Sequence, residues 1–406
     1  MDDTASMRAV AGLVIPKIGA VVANPGRGIP WRLVDADGAD FAGAFNWLNE
    51  LHANGHPPTT LRAYAYDLLS WLRFLDVICV DWKQATRSEV RDWVRWHLEN
   101  PNEQRRRMKE SSRSNPGGVN AKTGKPYLPD SYARSTINRQ LSALSGFYEY
   151  AIDADLGPML NPVPQSRSDL ARMRLGSGTT ETRRNTKRAA YRQKVVQRTP
   201  RALSDTLYEE VFLALKCNRD RALIATAVSS GMRASELLSM RRGDLHAADC
   251  TADIVPKGGG GERVIVRISP SAFVWIARYL AERRPGPPGE PVWMTMRGTP
   301  RPLTYWALRR VLQRTNEIME ANLSMHDFRH TFCMRLAADE NLTIVEMQEL
   351  MRHASLDSTM VYLRANPTDL ITKLEEHWNR PPIPVVARPA PGYSDSDLRV
   401  LFGGEV

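Results

Sequence analysis

From about residue 41 onward, apolar positions recur at the three- and four-residue spacing of amphipathic helices. In "TTLRAYAYDLLSWLRFL", Leu61, Ala65, Leu68, Leu72 and Leu75 share one face. A second helix opens at Thr86, with Glu89 completing a capping box, and turns Val90, Trp93 and Val94 inward. In "STINRQLSALSGFYEYAI", Ile137, Leu141, Leu144, Tyr148 and Ala151 line up the same way. Residues 41–160 therefore read as a small all-helical domain. Two neighbouring stretches lack any sustained period. Residues 1–40, ending in "VANPGRGIPWRLVDADGAD", read as an N-terminal extension to which the pattern assigns no structure. Residues 101–130 are basic and broken by Gly and Pro, the composition of a mobile loop.

A larger domain is expected over 201–380, with Ser204 as an N-cap. Its helix through "DRALIATAVSS" stops at Gly231. In "TADIVPKGGGGERVIVRIS", Val264, Val266 and Ile268 alternate with polar neighbours and predict a β-hairpin. Helices follow, one of them capped by Thr343 and Glu346 and ending near His353. A linker over 161–200 joins the domains, and a Pro-rich tail over 381–406 closes in the short amphipathic segment "SDLRVLF". The fold class is mainly α with a small β-sheet in the second domain, that is, α+β.

Charge adds a partner to this picture. The 406 residues carry a net +10, which favours a polyanion. Within the linker, ten Lys or Arg stand against Asp169 and Glu181. That run reads either as a solvated charged linker or as one lying along a phosphate backbone. Hydrophobic residues make up 42% of the chain, with 10 Trp and 12 Tyr, enough for packed cores and far from a disordered composition. Cys79, Cys217, Cys250 and Cys333 are widely spaced with no C-x-x-C pair, which fits reduced thiols better than disulfides or structural zinc. No stretch reaches about 18 apolar residues and the start lacks a signal-peptide pattern, so a cytoplasmic protein with no membrane partner is expected. Gly124-Lys125 is followed by Pro126, which excludes a P-loop, since Ser or Thr must stand there.

The densest chemistry lies in "LSMHDFRHTFCMRLA", residues 323–337. His326 and His330 have the helical spacing of metal ligands. However, Asp327 stands where H-E-x-x-H needs Glu, and the Arg329 guanidinium on that face would repel a dication. An anion suits the same residues better. Ser324 and Asp327 mark a helix start, which places His326 in a first turn where backbone N–H groups favour negative charge. Arg329, one turn on, can fork onto two oxygens. Taken alone, His-x-x-Arg is also a common solvated surface pair. Other fragments extend the set. Arg233 follows Gly231, with Glu236 three residues on, as either a surface ion pair or an anion ligand with its carboxylate anchor. Lys257 sits at the mouth of the hairpin before four Gly. In "MRHASLDSTMVYLR", His353 precedes Tyr362 by nine residues.

Three boxes, "SGMRASELLSM", "HDFRHTF" and "HASLDSTMVY", resemble in order and spacing those of tyrosine recombinases of the phage-integrase type. Together they span about 230–363, and the segment "TINRQLSALSGFYEYA" is similar to that family's core-DNA-binding domain. The resemblance implies a helical core-DNA-binding domain and an integrase-type catalytic domain forming a C-shaped clamp on duplex DNA. It implies a site-specific recombinase that cuts and rejoins DNA through a 3′-phosphotyrosine and a Holliday junction. It would work as a homotetramer on paired sites, with accessory or directionality factors and a tail that docks on a neighbouring protomer. Cytoplasmic, nucleoid-associated location and independence of metal and nucleotide cofactors go with it. The roles it implies are Arg233, Arg329 and His326 on the scissile phosphate, and Lys257 as proton donor to the leaving 5′ oxygen. His353 would hydrogen-bond the phosphate and Tyr362 would be the nucleophile. Glu236 would orient the active-site helix and His330 would pack behind it. Relaxation of the type IB topoisomerase kind and non-catalytic DNA binding are the alternatives. Arg352 departs from the pattern, standing where the family usually has Gly. So does the length of the 101–130 segment, and residues 1–40 do not read as an arm-site domain.

Overall fold

The computed structural model describes residues 8–26, 28–102, 117–164, 190–195, 200–256 and 261–363, with isolated positions near the C-terminus. Lys257, most of the basic linker, the core of the 101–130 segment and nearly all of the tail lie outside the described residues. The chain divides into two compact units, Met1–Arg198 with Gln313–Leu323, and Thr199–Leu312 with Ser324–Val406. No helix among the described residues is long and apolar enough to cross a membrane.

In the first unit, strands β1 (Ala20–Ala23) and β2 (Trp31–Val34) pair antiparallel, with Ala20 opposite Val34. Helices α1 (Ala42–Ala53), α2 (Pro58–Val77), α3 (Arg87–Glu99) and α4 (Arg134–Asp153) follow. The apolar faces read from the periodicity of α2, α3 and α4 are the buried ones, with Leu72 at the margin. Trp71, Trp93, Phe147 and Tyr148 centre this core, each worth about 1.5–3 kcal/mol as buried apolar surface. The polar ends of two of these rings are satisfied in place: Trp71 Nε1 donates to Tyr148 Oη at 3.0 Å, and that hydroxyl donates to the Trp82 carbonyl at 2.8 Å. Residues before 40 are part of this unit rather than an appendage, since Val10 and Leu33 are buried in the same core. Within the predicted loop, residues 117–130 form a turn built on Asn120. Its amide oxygen accepts from the backbone N–H of Lys122 and Thr123, and its nitrogen donates to the Glu320 carbonyl at 2.7 Å.

His97 on α3 is fully buried between Trp93, Trp96 and Tyr132, and burial holds its pKa down to about 4. A folded-state value below the unfolded one means that the unfolded chain binds the proton first. This contribution is therefore intact above about pH 6.5 and is lost as pH falls towards 4, by about 2–3 kcal/mol. His97→Phe, which keeps a ring in the cluster, is expected to remove that part of the acid sensitivity. Denaturant unfolding at pH 7 and pH 4.5 checks this, and equal losses in the two proteins would refute it.

In the second unit, α5 (Asp205–Ala214) leads to α6 (Asn218–Ser230), whose residues are buried on nearly every side. A helix apolar all round belongs inside a layer of others. Here α8 (Pro270–Ala281) and α10 (Met325–Ala337) pack on it. Between them come the short α7 (Ala234–Ser239) and a three-stranded antiparallel sheet, β3 (Leu245–His246), β4 (Thr251–Ile254) and β5 (Val264–Arg267), in that order. The predicted hairpin is β4–β5, with Ile254 opposite Val264. Helix α9 (Tyr305–Met319) precedes α10, and α11 (Ile344–Met351) and α12 (Leu356–Met360) complete the described elements. The protein is mainly α with small antiparallel sheets, the α+β class.

Candidate active site

Helix α6 ends at Gly231 in the left-handed conformation, φ 61°. A Cβ there would lie 2.2 Å from the Phe332 ring, so both the backbone and the packing demand glycine. The turn delivers Arg233 to the N-terminus of α7. Its backbone N–H donates to Glu236 Oε2 at 2.9 Å, and its guanidinium donates to Oε1 at 2.7 Å and to the Arg352 carbonyl at 3.1 Å. Glu236 is almost completely buried. Burial pushes its carboxyl up, but the Arg233 hydrogen bonds and the Arg352 and Arg233 charges outweigh it and hold the pKa below the ordinary value. It is a carboxylate that anchors an arginine.

Ser324 caps α10, donating from N and Oγ to Asp327 Oδ2 at 2.6 and 2.7 Å, and His326 falls in the first turn. Arg329, one turn further, is buried, and two of its N–H groups donate to the Gly231 and Met351 carbonyls. Burial and the nearby Arg233 charge pull its pKa down, yet a guanidinium starts high enough to stay charged.

Helix α11 ends at Arg352 with φ 53°, a left-handed C-cap normally given to glycine. Holding a non-glycine residue in this conformation costs about 1–2 kcal/mol of backbone strain. The Arg352 guanidinium folds back into the site, donating to the Ser230 carbonyl at 3.1 Å and lying 3.7 Å from Glu236. Burial lowers its pKa to about 10 against the Glu236 attraction. His353 follows, with Nδ1 3.0 Å from Thr359 Oγ1. Burial first, then the Arg329, Arg233 and Arg352 charges, hold its pKa down to about 4, so the ring is neutral near pH 7.

Tyr362 lies just past α12, 8% exposed and packed with Cys333, Met347 and Met351. Its hydroxyl is 2.7 Å from His330 Nδ1, and with the imidazole proton on Nε2 the phenol donates to that nitrogen. The His353 ring lies parallel to the Tyr362 ring at 6.0 Å, and His326 meets His330 edge-on at 4.2 Å. Burial and then Cys333 push the phenol above its ordinary value, with Arg329 and Arg233 pulling the other way.

The second unit thus brings together Arg233, Glu236, His326, Arg329, His330, His353 and Tyr362, while Lys257 lies outside the described residues. Sequence reasoning left out Cys333. Its spacing of three and four from His330 and Arg329 places it on their helix face, which was a usable signal. It also left open what the Arg352 side chain does.

The phage integrase family matches residues 205–369, and the phage integrase N-terminal SAM-like domain matches 45–115, together more than half of the chain. The chain belongs to the phage integrase family. It is 31% identical over 151 residues to tyrosine recombinase XerD of Chlorobaculum tepidum, covering 36% of this chain and 48% of that protein. To tyrosine recombinase XerC of Pelobacter propionicus it is 29% identical over 231 residues, covering 56% and 68%. The matched region is thus about half to two thirds of the length of these relatives. The fold is similar to that of the Tn1549 transposon integrase in complex with transposon right-end DNA, with TM-score 0.54, 15% identity, and coverage of 83% and 99%. It is also similar to XerH recombinase bound to a palindromic difH substrate, with TM-score 0.52, 17% identity, and coverage of 84% and 90%.

Proposed function

We propose that the protein is a site-specific DNA recombinase that breaks and rejoins duplex DNA with Tyr362 as nucleophile. The observation that carries this reading is the Tyr362 hydroxyl held on an imidazole beside two carbonyl-anchored arginines, the buried Arg329 and the half-buried Arg233. A phosphodiester attacked by a phenolate gathers negative charge on its non-bridging oxygens. Arg233 and Arg329, fixed in advance, stabilise that charge without reorganising, each by about 3–4 kcal/mol by analogy with oxyanion donors. His326 and neutral His353 add hydrogen bonds to the phosphate. Lys257 protonates the leaving 5′ oxygen. The covalent 3′-phosphotyrosine keeps the bond energy, so rejoining needs no nucleotide.

Three guanidiniums, those of Arg233, Arg329 and Arg352, face one carboxylate, Glu236. A bound phosphate balances that excess. The net +10 of the chain, the transposon right-end DNA held by the Tn1549 integrase and the difH substrate held by XerH support duplex DNA as the substrate. Assembly as a tetramer on paired sites, exchange through a Holliday junction, and a hold on DNA by the two units together complete the proposal. The bounds 41–160 and 201–380 are its DNA-binding and catalytic domains.

The test uses nicked duplexes carrying sites selected from a randomised library by binding to the protein. Covalent attachment is expected, unaffected by chelator, and mass spectrometry of the trapped adduct should place the DNA on Tyr362. An adduct on another residue, or none on any selected site, would overturn the reading.

A further inference from the structure

We propose that His330 is the proton acceptor for the Tyr362 hydroxyl, and so a catalytic residue rather than packing behind the site; this rests on Tyr362 being the nucleophile. Two rigid elements set the contact. His330 sits in the middle of α10, one turn beyond His326, and Tyr362 is wedged against Cys333, Met347 and Met351. The hydroxyl and Nδ1 are 2.7 Å apart, already at the distance for proton transfer. His353 meets the same tyrosine differently. It covers the ring face, and its Nδ1 is engaged by Thr359.

The phenol needs a base. At an ordinary pKa of 10 only about one phenol in a thousand is ionised at pH 7, and burial moves Tyr362 further up. The buried Cys333 thiol, which burial keeps protonated, packs in the same cluster as this tyrosine.

The Tyr362 proton moves to Nδ1, the phenolic oxygen bonds to phosphorus, and the P–O5′ bond breaks. The 5′ oxygen leaves with a proton from a general acid, the role given to Lys257. Rejoining runs in reverse: the 5′ hydroxyl attacks, the Tyr362 oxygen departs, and the imidazolium returns its proton. His330 is therefore neutral before cleavage and cationic in the covalent state.

His330→Ala and His330→Gln test this on the nicked, library-selected duplexes. Single-turnover adduct formation should slow by about 10²–10⁴-fold in both, with DNA affinity unchanged and thermal unfolding lowered only by the small amount one lost hydrogen bond predicts. Imidazole in the buffer should restore part of the rate to His330→Ala. Site-specific 3-fluorotyrosine at position 362, a more acidic phenol, should speed His330→Gln more than it speeds the protein with His330 intact. A rate in His330→Ala within about three-fold of the parent would overturn the proposal. A defect that neither imidazole nor fluorotyrosine changes would do the same, since a purely structural role predicts it. Adducts that persist in Tyr362→Phe, or that never form in the parent protein, would instead overturn the assignment of the nucleophile.

Discussion

Tyr362→Phe should abolish covalent attachment to DNA while leaving the protein folded and able to bind its site. The substitution removes one oxygen and keeps the ring that packs against Cys333, Met347 and Met351 and lies parallel to His353. What is lost structurally is a hydrogen bond to His330 Nδ1, worth about 1 kcal/mol net. What is lost chemically is the one phenolic oxygen that, among the described residues, sits in the arginine and histidine cluster. Tyr279 and Tyr305, two other tyrosines of the same unit, offer no substitute. Tyr279 is buried against Trp293 with its hydroxyl accepting from the Met294 N–H, and Tyr305 is exposed at the start of α9. Adduct formation on nicked duplex, followed with denaturing gels, should fall below detection, with affinity unchanged to within a few-fold. Residual adduct at a measurable rate would move the nucleophile elsewhere.

Arg329→Ala is expected to slow cleavage by about 10²–10³-fold, the effect of removing one preorganised donor from a buried oxyanion site. Its effect on stability should be smaller and its sign mixed. The change leaves the Gly231 and Met351 carbonyls without their donors, at about 1–3 kcal/mol. It also relieves repulsion from the nearby Arg233 charge. Arg329→Lys should rescue little, since one ammonium cannot fork across two carbonyls and a phosphate. Single-turnover rates and thermal unfolding on the same preparations separate the two effects. Cleavage at the parental rate in Arg329→Ala would remove Arg329 from the phosphate.

Much of this was legible in the sequence, for reasons that differ by element. Helices α2, α3 and α4 bury one stripe each, so Leu61 through Ala151 announced themselves by spacing. The strands at 20–34 did not. Each is four residues long, and the partners that bury Leu33 come from distant helices. The site residues were visible as types, because only Arg, His and Tyr carry this chemistry. Their anchors were not. The acceptors that fix Arg233 and Arg329 are the backbone oxygens of Gly231, Met351 and Arg352, which every residue type possesses. His330 read first as a partner for His326 on a metal face and then as packing. Only the tertiary fold brings Tyr362 to its Nδ1.

Because those anchors are backbone oxygens at the ends of α6 and α11, the site answers to the length of these helices more than to their composition. One residue inserted into α6 would turn its end by about 100° and swing the Gly231 carbonyl away from Arg329. The same insertion in the exposed turn at 339–341 would leave both helix ends where they are. Lineages of this protein should therefore drift freely in the outward-facing letters of α11 while keeping its residue count, and that of α6, constant.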